Sequence, residues 1–391
     1  MSMRLHDTAR GEVVPFEPGP VVSMYVCGIT PYDSTHLGHA FTYLTHDLVI
    51  RRLEDLGHEV RMVRNFTDVD DPLYAKAATL GLDAMELAER EIARFRADAE
   101  ALELRPPIAE PRVSTSIPEI VSAVTDLLER GSAYTVEGTT FIDVTSFDRF
   151  GAFAGEDARS LVALAKERGG TPDDPRQRHP LDFVLWKPSA EGEHEWPTPF
   201  GPGRPGWHIE CTAMATAHLG PTIDLHGGGV DLVFPHHESE IAQTESVTGQ
   251  PFARHWLHVG MVAYQGEKMS KSLGNLVFVS ELRERHDPRA IRLALLRFHY
   301  RAGFEWFDEM IDDGLSDLEL LLAAAARAEG PDPSAVAQAV RSHLDDDLDT
   351  ASARDELLAF ARRMAAGEGT VRTAPRVLTD LAALLGVNLT R

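Results

Sequence analysis

The chain has 391 residues, 43% of them hydrophobic, a formal charge of -23 at pH 7 and two cysteines. Its length suits two or three domains with real cores. With no long apolar run, and no hydrophobic signal core in Met1-Ser2-Met3-Arg4-Leu5-His6-Asp7, a cytoplasmic protein without a membrane span is expected. The acidic balance argues against nucleic acid as an obligatory partner, and two cysteines cannot build a disulfide framework, so they read as thiols or metal ligands.

Residues 1–20 are a polar lead-in with Pro15, Pro18 and Pro20. The apolar run Val21-Val22-Ser23-Met24-Tyr25-Val26 predicts a buried strand. Phe41, Leu44, Leu48, Val49, Leu53 and Leu56 recur at helical spacing. Between them lies Cys27-Gly28-Ile29-Thr30-Pro31-Tyr32-Asp33-Ser34-Thr35-His36-Leu37-Gly38-His39-Ala40. In a parallel sheet such a loop sits at the carboxyl edge, where the helix start offers free N–H groups to an anion. His36 and His39 in the first turn, with Gly38 between them, let phosphates approach backbone and imidazole together. A second strand is predicted at Glu59–Arg64. It ends on Asn65-Phe66-Thr67-Asp68-Val69-Asp70-Asp71-Pro72, where Thr67 or Asp68 can cap a following helix. From Leu73 to about Leu104 the pattern is helical.

Pro106-Pro107 ends that helix. A helix near Ile117–Arg130 and a strand at Thr139–Val144 then read as an insertion into a split nucleotide-binding fold, and Glu167-Arg168-Gly169-Gly170-Thr171-Pro172 reads as a turn needing positive φ. The second half opens at Leu181-Asp182-Phe183-Val184-Leu185-Trp186-Lys187. It carries Gly206-Trp207-His208-Ile209-Glu210-Cys211, then Asp224-Leu225-His226-Gly227-Gly228-Gly229-Val230-Asp231, then Pro235-His236-His237-Glu238-Ser239-Glu240. His236 follows Pro235 at a predicted helix start, with Glu240 four residues later on the same face. Cys27, Cys211 and His236 make a zinc shell of three firm ligands, with Glu240 an open fourth.

His36-Leu37-Gly38-His39 resembles the HIGH signature of class I aminoacyl-tRNA synthetases, and Lys268-Met269-Ser270-Lys271-Ser272 matches their KMSKS loop letter for letter in the order the family requires. The pair implies an α/β, Rossmann (HUP-type) parallel sheet that uses ATP, with its Mg2+, to form an aminoacyl adenylate. His36, His39, Lys268 and Lys271 would neutralise charge on the departing pyrophosphate. Across nearly its whole length the chain is similar to the catalytic part of cysteinyl-tRNA synthetases, and more closely to their shorter relatives, the mycothiol cysteine ligases. That resemblance implies one Zn2+ per chain on Cys27, Cys211 and His236. It places Thr30 and Trp207 in the cysteinyl-adenylate pocket together with Cys27, Gly28 and Ile29, and puts Thr42, Asn65, Phe66, Thr67, Gly229, Val230, Asp231 and Val262 around the intermediate. It also implies a first catalytic half at 1–104, an insert at 105–185, a second half at 186–275, a stem-contact region at 276–315 and a helical bundle at 316–391.

Three features lean toward the ligases. Cys-Gly-Ile-Thr-Pro-Tyr-Asp and Ala40-Phe41-Thr42 flank the first signature as in the ligases. Residues 167–172 resemble their ERGGDP motif, departing at Thr171. The segment from Ser316 to Arg391 has 12 Asp/Glu against 8 Arg and no Lys, a poor surface for tRNA. Glu240 points the other way, since it matches the synthetase's fourth zinc-site residue. A compact synthetase or paralogue acylating tRNA or another amine, and an inactive cysteine-sensing paralogue, are the alternatives. The expected partners are ATP, L-cysteine and an amino-sugar acceptor, with no tRNA and no membrane, and the expected state is a monomer. Lys271→Ala is expected to slow cysteine-dependent ATP–pyrophosphate exchange about 100-fold or more while cysteine binding changes little; unchanged exchange kinetics would remove this loop from the chemistry.

Overall fold

The structure, a computed structural model, describes residues 3–269 and 274–390. A hairpin of β1 (Arg4–Asp7) and β2 (Glu12–Pro15) precedes the first nucleotide-fold half: β3 (Val21–Ile29), α1 (Leu37–Asp55), β4 (Glu59–Phe66), α2 (Asp71–Leu80) and α3 (Ala84–Ala101). Next come α4 (Ile117–Glu129), β5 (Ala133–Val136), β6 (Thr139–Ile142), α5 (Ala158–Glu167), β7 (Val184–Lys187) and β8 (Arg204–Pro205). The second half supplies α6 (Trp207–Leu219), β9 (Leu225–Gly229), α7 (Glu238–Thr248) and β10 (Trp256–Val259). A three-stranded sheet of β11 (Val262–Tyr264), β12 (Glu267–Lys268) and β13 (Phe304–Trp306) is interleaved with α8 (Val279–Arg285) and α9 (Pro288–Leu295). The helices α10 (Met310–Ala325), α11 (Ser334–Asp345), α12 (Thr350–Ala365) and α13 (Ala374–Leu384) complete the described chain. Among the described residues no helix is long and apolar enough to cross a membrane.

The central sheet is parallel, in the order β10-β9-β3-β4. Val22, Met24 and Val26 on one face of β3, and Tyr25 and Cys27 on the other, are all buried, as a central parallel strand requires. The chain leaves β3 for β4 on one side and later returns to β9 on the other. The crevice at the carboxyl ends of β3 and β9 is therefore the switch point where ligands bind in open α/β sheets. Gly28 is obligatory there, because a Cβ would lie 1.5 Å from the Asn65 carbonyl oxygen.

Some local expectations shift. The helix predicted from Leu73 to about Leu104 is two helices, α2 and α3. Gly81 at φ 65° ends the first, and the Asp83 carboxylate, accepting from Met85 and Glu86 N–H, starts the second. Neither Thr67 nor Asp68 caps α2. Asp70 does, while Asp68 accepts from Ser114 N and Oγ at 2.9 and 2.5 Å. The antiparallel sheet β5-β6-β7-β8 continues through Arg204–Pro205, past the expected border at 185, because Trp186 and Lys187 pair with Pro205 and Arg204.

The terminal bundle is locked to the catalytic body by a buried ionic knot. Arg292 of α9 is 1% exposed; it pairs with Asp47 of α1 and donates to the carbonyls of Leu385 (2.7 Å) and Leu102 (3.0 Å). Asp47 also accepts from Arg51 Nε and Arg105 N, each at 2.7 Å. Burial alone would raise its carboxyl, yet Arg292 and Arg51 hold it below the ordinary range. Its stabilising effect is thus present above the unfolded carboxylate pKa of about 4 and is lost only as pH falls through the lower folded value. Asp47→Ala leaves two buried guanidinium groups uncompensated and is expected to cost about 3–5 kcal/mol, read as a lower denaturant midpoint; a loss under about 1 kcal/mol would show that the knot is not holding the bundle.

Candidate active site

The α1 N-terminus opens onto a cavity of about 520 Å³. His36 is the N-cap, not a first-turn residue as the sequence reading had it. Its Nδ1 accepts from Gly38 N–H at 3.1 Å, and its ring stacks on that of His39 at 3.7 Å between centroids. A Cβ on residue 38 would come within 2.9–3.0 Å of the His36 ring, so the glycine keeps both imidazoles close to the helix start. The first turn of α1 has no acidic residue, which leaves the positive end of the helix dipole facing the cavity for an anion.

Main-chain bonds bring the segment after the second signature to the first. Leu37 N donates to Val277 O and Val279 N to Thr35 O, both at 2.9 Å. Asn275 Nδ2 reaches the carbonyls of Tyr264 (2.9 Å) and Glu267 (3.3 Å), pinning the return of the loop to β11 and β12. The main chain of Lys268 pairs with Ala263, and Met269 lines the cavity. Ser270, Lys271 and Ser272 lie outside the described residues.

Cys27, Gly28, Ile29, Thr30, Thr42, Trp207, Gly229, Asp231 and Val262 all line this cavity. Leu37 is fully buried beneath it. Asn65 acts as a prop, its Oδ1 accepting from Gly28 N at 2.8 Å and its Nδ2 donating to Thr67 Oγ1 at 3.1 Å. Phe66 is not on the wall; it packs edge-on against Phe95 in the core. Val230 points outward, 45% exposed. Sequence reasoning missed Tyr32, Tyr43, Met261 and Leu276 on the wall. Tyr43 stands two positions past the Ala40–Phe41 pair on α1, and its hydroxyl donates to Cys27 O at 3.1 Å.

Behind Cys27, four buried side chains converge: Cys27, Cys211, His236 and Glu240, with ligand atoms all within 4.8 Å of one another. The two Sγ atoms are 4.0 Å apart, and Glu240 Oε1 stands 3.7 Å from Cys27 Sγ and 2.9 Å from His236 Nε2. That imidazole nitrogen is buried, meets the carboxylate without hydrogen-bond geometry, and is aimed into the cluster. His236 Nδ1 is engaged by His208 at 2.9 Å, which orients the ring. Two thiols, an imidazole and a carboxylate at this spacing are a zinc-type donor set. Glu240 Oε2 is anchored by His226 at 2.8 Å, which turns Oε1 toward the thiols and sets Glu240 inside the cluster. A second grouping, Cys27, His226, His237 and Glu240, shares two of these residues, so the two cannot be filled at once.

The cluster's ionisable groups are strongly coupled to one another. The Cys27 hydrogen bond holds the Cys211 thiol down at about 6, whereas burial and then Cys211 push Cys27 well up. Burial opposes ionisation of Glu240, but His226 and His236 bring it to about 2; burial likewise opposes a charged His236, which Glu240 and Cys211 raise to about 10. Burial keeps the surrounding imidazoles neutral, with His46 near 4, His258 near 3, and His208 and His237 well below the usual value.

The fold and this cavity define a nucleotide-activating enzyme of the class I synthetase type, and the comparisons agree. Residues 13–316 match the family described as tRNA synthetases class I (C) catalytic domain, and the chain belongs to that family. The chain is similar to proteins named L-cysteine:1D-myo-inositol 2-amino-2-deoxy-alpha-D-glucopyranoside ligase. That of Thermobispora bispora is 49% identical over 100% of this chain and 96% of its own length, and that of Streptosporangium roseum is 48% identical over 99% and 96%. Among solved structures, methionyl-tRNA synthetase of Mycobacterium tuberculosis in complex with methionyl-adenylate superposes with a TM-score of 0.69 at 17% identity, covering 93% of this chain and 90% of that one. That likeness concerns the fold alone.

Purified wild type is expected to carry about one zinc per chain, and Cys211→Ser to lower metal content and abolish cysteine activation. Well-folded wild type without zinc, and indifferent to added zinc, would remove the thiol-selection argument.

Proposed function

We propose that the protein is an ATP-dependent, AMP-forming ligase that activates L-cysteine and transfers it to the amine of glucosaminyl-inositol in mycothiol biosynthesis. The observation that carries this reading is Cys27, which is at once a wall residue of the nucleotide cavity and a member of the buried Cys-Cys-His-Glu cluster. A substrate bound in the cavity reaches the cluster through that side chain. The choice of acceptor is supported by relatives named as ligases at 47–49% identity over essentially the full chain, and the compact-synthetase alternative is not favoured.

Cysteine and ATP, with its magnesium, occupy the cavity together. The cysteine carboxylate attacks the α-phosphorus, the bond to the β-phosphate oxygen breaks, and pyrophosphate leaves. The α1 N-terminus, His36 and His39 face the phosphates and stabilise the charge that moves onto them, and the lysines of the second signature act in the same direction. The acceptor amine then attacks the carbonyl carbon, the carbon–oxygen bond to phosphate breaks, AMP leaves, and the nitrogen gives up its proton to form the amide. Cys27, Cys211, His236 and Glu240 are the residues that would hold zinc, which when bound would supply a thiolate-preferring Lewis acid able to separate cysteine from serine without an editing site. Gly28, propped by Asn65, keeps the strand end flat against the bound substrate, while Thr30 and Trp207 flank the amino-acid end.

The enzyme is given cysteine, ATP and either glucosaminyl-inositol or cysteine tRNA, and AMP and the acylated product are followed. Amide formation on the amino-sugar, weakly dependent on salt, is expected; efficient tRNA charging with no amide would overturn the assignment.

A further inference from the structure

A second cavity, of about 550 Å³, adjoins the first and shares Thr30, Tyr32 and Trp207 with it. Its size falls in the range of about 300–1,000 Å³ that accommodates small organic ligands. It lies between the catalytic halves and the insert, and residues 168–171 of the glycine turn form part of its wall. The turn is fastened there: Arg168 Nη1 donates to Asp231 O at 2.6 Å and also to Phe234 O. One insert residue thus ties this wall to the segment carrying both Asp231 of the first cavity and His236 of the thiol cluster.

The carboxylates Asp182 and Asp71 on the wall are spent within the protein. Asp182 accepts from Tyr134 Oη, Val144 N, Arg178 N and His179 N. Asp71 is paired with Lys187 at 2.8 Å and with Arg204, which also binds Glu193. Asp70 differs. Its Oδ1 accepts from Asp71 N at 2.8 Å and its Oδ2 from Thr30 Oγ1 at 3.2 Å, and among the described residues no lysine or arginine pairs with it. A carboxylate has about four lone-pair sites, so two remain open. Phe183 and Trp207 add flat apolar faces, and Gln177 an amide whose oxygen lacks a partner.

We infer that this second cavity is the acceptor subsite, taking a hydroxyl-rich amino-sugar whose amine meets Asp70 beside the Thr30–Trp207 partition and so faces the cysteinyl carbonyl in the first cavity. The inference rests on the acceptor reading above. An unpaired carboxylate next to the partition is the complement of an ammonium group, aromatic faces suit the apolar side of a sugar ring, and an amide suits its hydroxyls. Burial, reinforced by Asp71, pushes the Asp70 carboxyl up to about 6, which leaves it ionised at neutral pH yet able to take a proton.

Thr171 is exposed on the turn and lines the cavity, so Thr171→Trp fills the space without disturbing the core. Thr171→Trp and Gln177→Ala are assayed for amide formation with glucosaminyl-inositol and, separately, for cysteine-dependent ATP–pyrophosphate exchange. The KM for glucosaminyl-inositol is expected to rise about tenfold or more in both while exchange stays within about twofold of wild type. Asp70→Asn, which keeps the helix cap, is expected to lower kcat/KM for the amino-sugar at least as much. Variants with unchanged amino-sugar KM overturn the subsite while wild-type amide formation leaves the functional reading intact. A wild type that exchanges but never acylates the amino-sugar overturns both.

Discussion

Everything in this active site depends on how closely the carboxyl end of β3 can approach its neighbours. At Gly28 the strand lies so near the Asn65 carbonyl that no side chain fits, and the Asn65 side chain then fixes Gly28 N and Thr67 in turn. That contact sets the position of Cys27 on one side and Thr30 on the other. Cys27 thereby reaches inward to Cys211, His236 and Glu240, while Thr30 reaches Asp70 at the edge of the second cavity. A shift of this strand end by the width of a methyl group would misplace the nucleotide wall, the thiol cluster and the partition together.

The two signature motifs contribute in different ways. The first acts through backbone geometry: a histidine cap, a glycine that lets two imidazoles stack, and a helix start without acidic residues. The second is carried by a loop whose ends are fixed, by β12 pairing on one side and by Asn275 and the Val277 and Val279 main-chain bonds on the other. The role proposed for its lysines, stabilising charge as pyrophosphate departs, asks for stabilisation in the transition state and not before it.

Much of this was legible in the sequence because the decisive signals were local. The strand at Val21–Val26, the helix marked by Phe41 to Leu53, and the pairing of Cys27 with Cys211 in separate motifs all follow from periodicity and rare residue types. What escaped was set by tertiary contact. Glycine 81 in a left-handed conformation split a helix whose side-chain pattern was continuous. Phe66, read as a site residue, belongs to the core because strand alternation sends it toward Phe95. Asp70 looked like one of several short polar residues in a turn. Only the fold shows that the adjacent Asp71 is ion-paired while, among the described residues, Asp70 is held by hydrogen bonds from Asp71 N and Thr30. The reach of β7 and β8 into the insert sheet depends on a hairpin-like return through residues 187–204 that has no periodic signature.

The central claim is that a buried metal cluster at the edge of the nucleotide cavity selects cysteine by its sulfur. Titration of the cobalt-substituted protein with cysteine and with serine tests it most directly. The account predicts stronger thiolate-to-metal absorption as cysteine saturates the site and no change with serine; cysteine binding, verified by calorimetry, that leaves the cobalt spectrum untouched would contradict it.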